Sequence, residues 1–159
     1  GLEGYAHGGE QKSLLDINEC IEATLKVVWN ELKYNCTVEK DFKPLPPVEC
    51  IGGQINQVFM NLFINASHAM VGKKGELSIQ TYAIENDVFI IISDNGCGIK
   101  RDDLTRIFEP FYTTKPLGEG TGLGMSISFD IIKQHGGEIQ VESEVGFGTS
   151  FMIKLPVAK

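Results

Sequence analysis

The chain has 159 residues, 42% of them hydrophobic, which is enough for one domain with a substantial core. Lys and Arg number 14 against 21 Asp and Glu, and the resulting net charge of −7 leaves no basic footprint for nucleic acid and argues against a polyanion site unless a cation shares it. There is no run of about 18 apolar residues and no secretory pattern, so we expect no membrane contact by this domain and a cytoplasmic setting, whether or not the parent protein is membrane-anchored. The four cysteines, Cys20, Cys36, Cys50 and Cys97, match no zinc or redox spacing and are expected to stay reduced.

Residues 1–15 are read as a tail or linker, since the glycine-rich, polar start has no periodicity, and 16–159 as the folded domain. Ile17, Ile21, Leu25, Val28 and Leu32 recur at helical spacing behind Asp16 and Glu19, a pair resembling a capping box; Trp29 falls off that stripe. Cys36 to Phe42 alternates as a strand, and Pro44, Pro46 and Pro47 then impose an extended connector. A second helix is expected from about Gly53 to Val71. Its apolar stripe is Ile55, Val58, Phe59, Leu62, Phe63, Ala66 and Met70, while Gln57, Asn61 and Asn65, four apart with His68 beside them, make a second, polar stripe. Asparagine is a poor helix former, so two of them one turn apart ask for a functional reason.

Leu77, Ile79, Thr81 and Ala83 alternate as a strand, and the continuous apolar run Val88 to Ser93 predicts a central strand buried on both faces. That run ends at Asp94-Asn95-Gly96-Cys97-Gly98-Ile99. A short helix is expected over 100–107, then an aromatic loop, Phe108 to Lys115, and a segment over 116–121 with little to pack against, expected to be mobile without ligand. A third helix starts near Thr121 to Gly124 and stops at Gly136-Gly137. Leu123, Ile127 and Ile131 share one of its faces and Met125, Phe129 and Ile132 nearly the opposite one, so we expect it to be sandwiched. The last two strands, carrying Ile139 and Val141, then Phe151, Ile153 and Leu155, form a hairpin. The predicted architecture is a two-layer α/β sandwich with three main helices on one face of a mixed sheet.

Between Asp94 and Gly124 lie six of the chain's 18 glycines. Glycine lets backbone approach a ligand and lets N–H groups converge on an anion. Gly120-Thr121-Gly122-Leu123-Gly124 opens a helix, where phosphate oxygens find N–H groups, yet no Gly-Lys-Ser/Thr follows and no tight βαβ unit surrounds it. Four clusters therefore need a joint explanation: the Asn61 and Asn65 stripe, the turn after Asp94, the aromatic loop, and this glycine-rich helix start.

Together, QVFMNLFINASHAM, DNGCGI, FEPFYTTK, GTGLGMSIS and the closing GFGTSF resemble the ATP-binding catalytic domain of two-component sensor histidine kinases. That family lies within the superfamily of gyrase, heat-shock chaperone, histidine kinase and mismatch-repair ATPases, which share the Bergerat fold. The resemblance covers about Ile17 to Pro156. It implies ATP and Mg²⁺ as ligands, with Asn65 on the metal and Asn61 lining the same site. Asp94 would accept from the adenine amino group, helped by Thr149; Gly96 and Gly98 would let the backbone pass beside the base, with Ile99 and Phe108 also against the nucleotide. Thr121, Gly122, Leu123 and Gly124 would meet the phosphates, and Lys115 and His68 would be cationic contacts, Lys115 joining Asn61 as a catalytic residue.

Gyrase-like relatives carry glutamate at the position of Asn61, and an amide cannot serve as a base at neutral pH, so slow hydrolysis is expected. The implied acceptor is a histidine, followed by an acidic residue and a proline, on a helical dimerisation domain of the parent kinase, with a response regulator downstream. His7, His68 and His135 do not fit that pattern, so the acceptor is expected outside these residues. A faster ATPase of the superfamily, a silent nucleotide-binding regulatory module, and a serine-directed kinase acting on sigma-factor inhibitors are the alternatives.

Overall fold

The computed structural model describes residues 11–110 and 124–159. In chain order the elements are β1 (Ser13–Leu15), α1 (Ile17–Leu32), β2 (Cys36–Phe42), β3 (Val48–Cys50), α2 (Gly52–Ala69), β4 (Gly75–Ile84), β5 (Asp87–Asp94), α3 (Arg101–Leu104), α4 (Gly124–Gln134), β6 (Glu138–Glu144) and β7 (Gly148–Pro156). Five strands form one mixed sheet in the order β2-β4-β5-β7-β6, parallel only between β2 and β4. This is the expected α/β architecture, with β6 and β7 as the closing hairpin.

Side-chain alternation explains how the layers meet. Leu77, Ile79 and Thr81 of β4, Val88, Ile90 and Ile92 of β5, and Phe151, Ile153 and Leu155 of β7 are all buried. They meet Ile21, Leu25 and Val28 of α1 and Ile55, Phe59, Leu62 and Phe63 of α2 in one core. Helix α1 starts where the Asp16 carboxylate accepts the Asn18 N–H at 2.9 Å. The cap thus serves the second helical N–H rather than the third that a capping box would use. Trp29 is 46% exposed, as its place off the stripe implies.

Two expectations need correction. Ser13–Leu15, placed by the sequence reading in the tail, pair antiparallel with Val48–Cys50 just beyond the prolines, with Ser13 opposite Cys50. Three-residue strands are too short to show a period of two, which is why neither was legible. Strand β5 is not buried on both faces: Phe89 and Ile91 are only half-buried because, among the described residues, no helix covers that side, and Tyr82 stacks on Phe89 with ring centroids 5.2 Å apart. On α4 the most enclosed residues are Ser126, Ser128, Ile131 and Ile132, whereas Met125, Ile127 and Phe129 remain half-buried. The small side chain of Ser128, which meets Asn61 of α2 at 3.2 Å, lets α4 lie close against α2, and sequence hydrophobicity does not report that closeness.

Helix α4 ends as its glycines dictate. Gly136 takes φ +74°, and the Gly137 N–H returns to the Ile132 carbonyl at 2.9 Å. His135 closes the same end. Its Nε2 accepts the Ile51 N–H at 3.1 Å and its Nδ1 donates to the Ile131 carbonyl at 2.7 Å. An amide N–H can only donate and a carbonyl can only accept, so the ring carries its single proton on Nδ1. The cysteines are free: Cys20 and Cys50 are buried and Cys97 is exposed. Burial pushes the Cys50 thiol up to about 11, consistent with an inert structural role.

Candidate functional site

The polar stripe of α2 leads into the first glycine cluster. Residues four apart share a helix face, so the row of Asn61 and Asn65 continues to Ala69 at the helix end. There the Ala69 carbonyl accepts the Cys97 N–H at 3.0 Å, and a Cβ built on Gly96 would stand 2.6 Å from the same oxygen. Only glycine lets the backbone after β5 lie this close to α2. The Lys73 ammonium donates to the Gly96 carbonyl at 3.2 Å, and Asn95 bonds the Glu76 N–H and the Lys74 carbonyl. These contacts tie the turn to the α2–β4 connection as well.

The far side of the turn rests on the β6–β7 hairpin. Gly98 has φ +79°, and a Cβ there would collide with the Glu144 carbonyl. Gly148 has φ +132°, and a Cβ there would collide with the Asp94 carbonyl. Asp94 lies opposite Thr149 across the β5–β7 ladder. Its carboxylate accepts the Gly96 N–H at 2.8 Å and is also held by the Thr149 N–H. Burial raises its pKa above the ordinary 3.8, and those two N–H groups and Lys73 oppose that rise without cancelling it. A carboxylate kept partly out of water, with acceptor sites beyond the two in use, is a mark of a binding site.

Thr149 is 6% exposed, and the polarity of its hydroxyl follows from a proton count. Ser143 Oγ accepts the Ile99 N–H at 2.7 Å and donates its one proton to the Gly148 carbonyl at 3.0 Å. The 2.8 Å contact between the Ser143 and Thr149 hydroxyls must then be donated by Thr149. Thr149 Oγ1 therefore keeps only lone pairs for anything else, so Asp94 and Thr149 both present acceptors. A cleft of about 320 Å³ opens at this place, lined by Asp94, Ser143, Gly148 and Thr149 and by Phe147, which is 73% exposed. A larger cavity of about 430 Å³, against Asn18, Glu22 and Lys26 of α1, contains none of the sequence-predicted site residues.

The opposite side of the site is the seam between α2 and α4. Asn61 Nδ2 donates to the Gly124 carbonyl and to Ser128 Oγ, both at 3.2 Å. Asn65 is half-buried one turn further along α2, and His68 is exposed on its last turn. Phe108 packs against Phe129 of α4 with ring centroids 5.2 Å apart. Thus Asn61, Asn65, Asp94, Gly96, Gly98, Ile99, Gly124 and Thr149 belong to one end of the sheet and the helix seam beside it. Lys115, Thr121, Gly122 and Leu123 lie outside the described residues, as do the aromatic loop beyond Pro110 and the segment expected to be mobile. Sequence reasoning missed Ser128 and Ser143. The available signal was a hydroxyl residue on a helix face and on a strand face otherwise filled with apolar side chains.

Comparisons with known proteins bear on the family and the fold. Residues 52–159 match the family described as histidine kinase-, DNA gyrase B-, and HSP90-like ATPase. Sporulation kinase E of Bacillus subtilis is 46% identical over 114 residues, 71% of this chain and 15% of that protein. The sensor histidine kinase ZraS of Escherichia coli is 36% identical over 148 residues, 90% of this chain and 30% of that protein. The chain thus spans less than a third of the length of these relatives. The nucleotide-free catalytic domain of histidine kinase ThkA superposes with a TM-score of 0.81 at 30% identity, over 92% of this chain and 95% of that domain. The chain therefore belongs to the histidine kinase-, gyrase B- and HSP90-like ATPase family, as a catalytic domain of the histidine kinase type.

Proposed function

We propose that residues 16–159 bind Mg-ATP and present its γ-phosphoryl group to a histidine on a helical domain of the parent kinase, from which a response regulator is served. The observation that carries this reading is the continuity of the site: the Asn61 and Asn65 stripe runs down α2 to Ala69 and there meets Gly96, two residues from Asp94. One face then offers an acceptor pair, Asp94 and Thr149, matched to an exocyclic amine; the other offers amide groups suited to a hydrated cation. Guanine would place a carbonyl oxygen against Asp94 in the position of the adenine amine, leaving a partly buried charge unmatched.

No cluster of three His, Cys, Asp or Glu occurs among the described residues, and Mg²⁺ does not need one. It takes few protein oxygens and keeps waters and phosphates as its other ligands, so Asn65 with Asn61 beside it fits the ion. When bound, Mg²⁺ supplies charge neutralisation that a chain of net charge −7 otherwise lacks. The side chains orient the nucleotide. Asn61 cannot take a proton from water, which favours transfer to an incoming imidazole over hydrolysis. Lys115, His68 and the 121–124 segment are assigned to the phosphates on the resemblance of their motifs.

Thermal melting with Mg-ADP and Mg-GDP tests the nucleotide reading. We expect Mg-ADP alone to stabilise the protein, and Asp94→Asn to weaken that binding about tenfold or more. Equal stabilisation by both nucleotides would overturn the assignment of Asp94. Transfer is tested separately, by incubating the domain with labelled ATP and the parent's helical domain in trans. Label on histidine is the expected result, whereas rapid phosphate release without it would favour the ATPase alternative.

A further inference from the structure

We infer that Ser128 is a positioning residue for the nucleotide site, acting through Asn61, and that the two clasp the first turn of α4 to α2. The inference rests on the nucleotide reading above. The geometry fixes which way the Asn61 amide faces. The Gly124 carbonyl can only accept, so the atom 3.2 Å from it must be the amide nitrogen. The second proton of that nitrogen goes to Ser128 Oγ, also at 3.2 Å, on a side chain with no solvent exposure. Both protons are therefore committed to α4, and what Asn61 can offer a ligand is an oxygen acceptor. That is the donor type a hydrated Mg²⁺ takes, and it is the wrong type to bond a phosphate oxygen.

A lone contact to the Gly124 carbonyl would hold one proton and leave the amide free to swing about its χ2 torsion. Ser128 supplies the second point, one helical turn further along α4, and two points fix a plane. Deleting the hydroxyl should loosen the amide without opening the core, because alanine still fills most of the space of serine. The expected loss is specific. Binding that depends on the metal should weaken, and binding that depends on the Asp94 end should not.

Calorimetric titration of the wild type, Ser128→Ala, Asn61→Ala and the double variant with Mg-ADP, and with ADP in EDTA, tests this. Ser128→Ala should weaken Mg-ADP about three- to tenfold and leave ADP in EDTA within about twofold. The double variant should bind no worse than Asn61→Ala, because the serine acts only through the amide. Hydrogen exchange should be faster in the first turn of α4 in Ser128→Ala, with a melting temperature that confirms folding. Equal weakening in both buffers would indicate general loosening and overturn the inference. So would losses that multiply independently, or a Ser128→Ala variant indistinguishable from wild type. Failure of the wild type itself to bind Mg-ADP would instead remove the nucleotide reading, and the role of Ser128 with it.

Discussion

The two sides of the candidate site are held by different means. At the end of the sheet, backbone is packed on backbone: Gly96 on Ala69, Gly98 on Glu144 and Gly148 on Asp94, each where a Cβ would collide with a carbonyl or its neighbours. At the α2–α4 seam, side-chain hydrogen bonds do the holding: Asn61 to Gly124 and Ser128 at one end, His135 to Ile51 at the other. The first construction cannot give without breaking the fold. The second can be loosened one bond at a time, which suits the side of the site proposed to take phosphates and a metal.

Substitution should separate the two constructions by magnitude. Gly148→Ala places a Cβ against the Asp94 carbonyl at φ +132° and should cost about 3 kcal/mol or more, read from urea denaturation. A loss smaller than that at the seam would invert the comparison. His135→Ala removes the acceptor for Ile51 and the donor to Ile131, and should cost about 1–3 kcal/mol by the same measurement. His135→Gln, which keeps one donor and one acceptor, should recover part of it.

The smallest effect concerns Asp94, where binding and stability oppose one another. Burial raises its folded pKa, so its contribution to stability is fullest below the ordinary value of 3.8 and is lost as pH rises through the raised value. At neutral pH the ionised carboxylate is therefore a net cost in the nucleotide-free protein. Asp94→Asn should stabilise that form slightly, by less than about 1 kcal/mol, and the gain should fade as the pH is lowered toward 4. Denaturation midpoints between pH 4 and 7 check the sign; a variant that loses stability at neutral pH would mean that the two N–H groups outweigh desolvation.

Most of the large elements were legible in the sequence. Leu77, Ile79 and Thr81, and Phe151, Ile153 and Leu155, alternate over enough residues to reveal strands, and Ile55 to Met70 repeats over enough turns to reveal a helix. The recurrence of Asn61 and Asn65 and the charge at Asp94 drew attention because each is costly where it stands. What stayed hidden depends on neighbours in space. The apolar run in β5 looks the same whether one face or both are covered, and whether Phe89 is buried depends on a second layer, which the described residues do not supply on that side. Ser128 of α4 looks like a surface residue until α2 is laid against it. Ser143 matters through the direction of a single proton, and no pattern of residue types carries that.

The two fastenings of α4 also have a mechanical consequence. A helix of 11 residues is about 16 Å long, and this one is anchored near both tips to the same neighbour. It should act as a strut, so that a push at Gly124 is not absorbed by sliding but arrives at Ile51, where β3 ends and α2 begins. The ribbon of β1 and β3 at that far tip is then stiffly connected to the end of the molecule where the phosphates are assigned. Cutting either anchor turns the strut into a lever with one pivot.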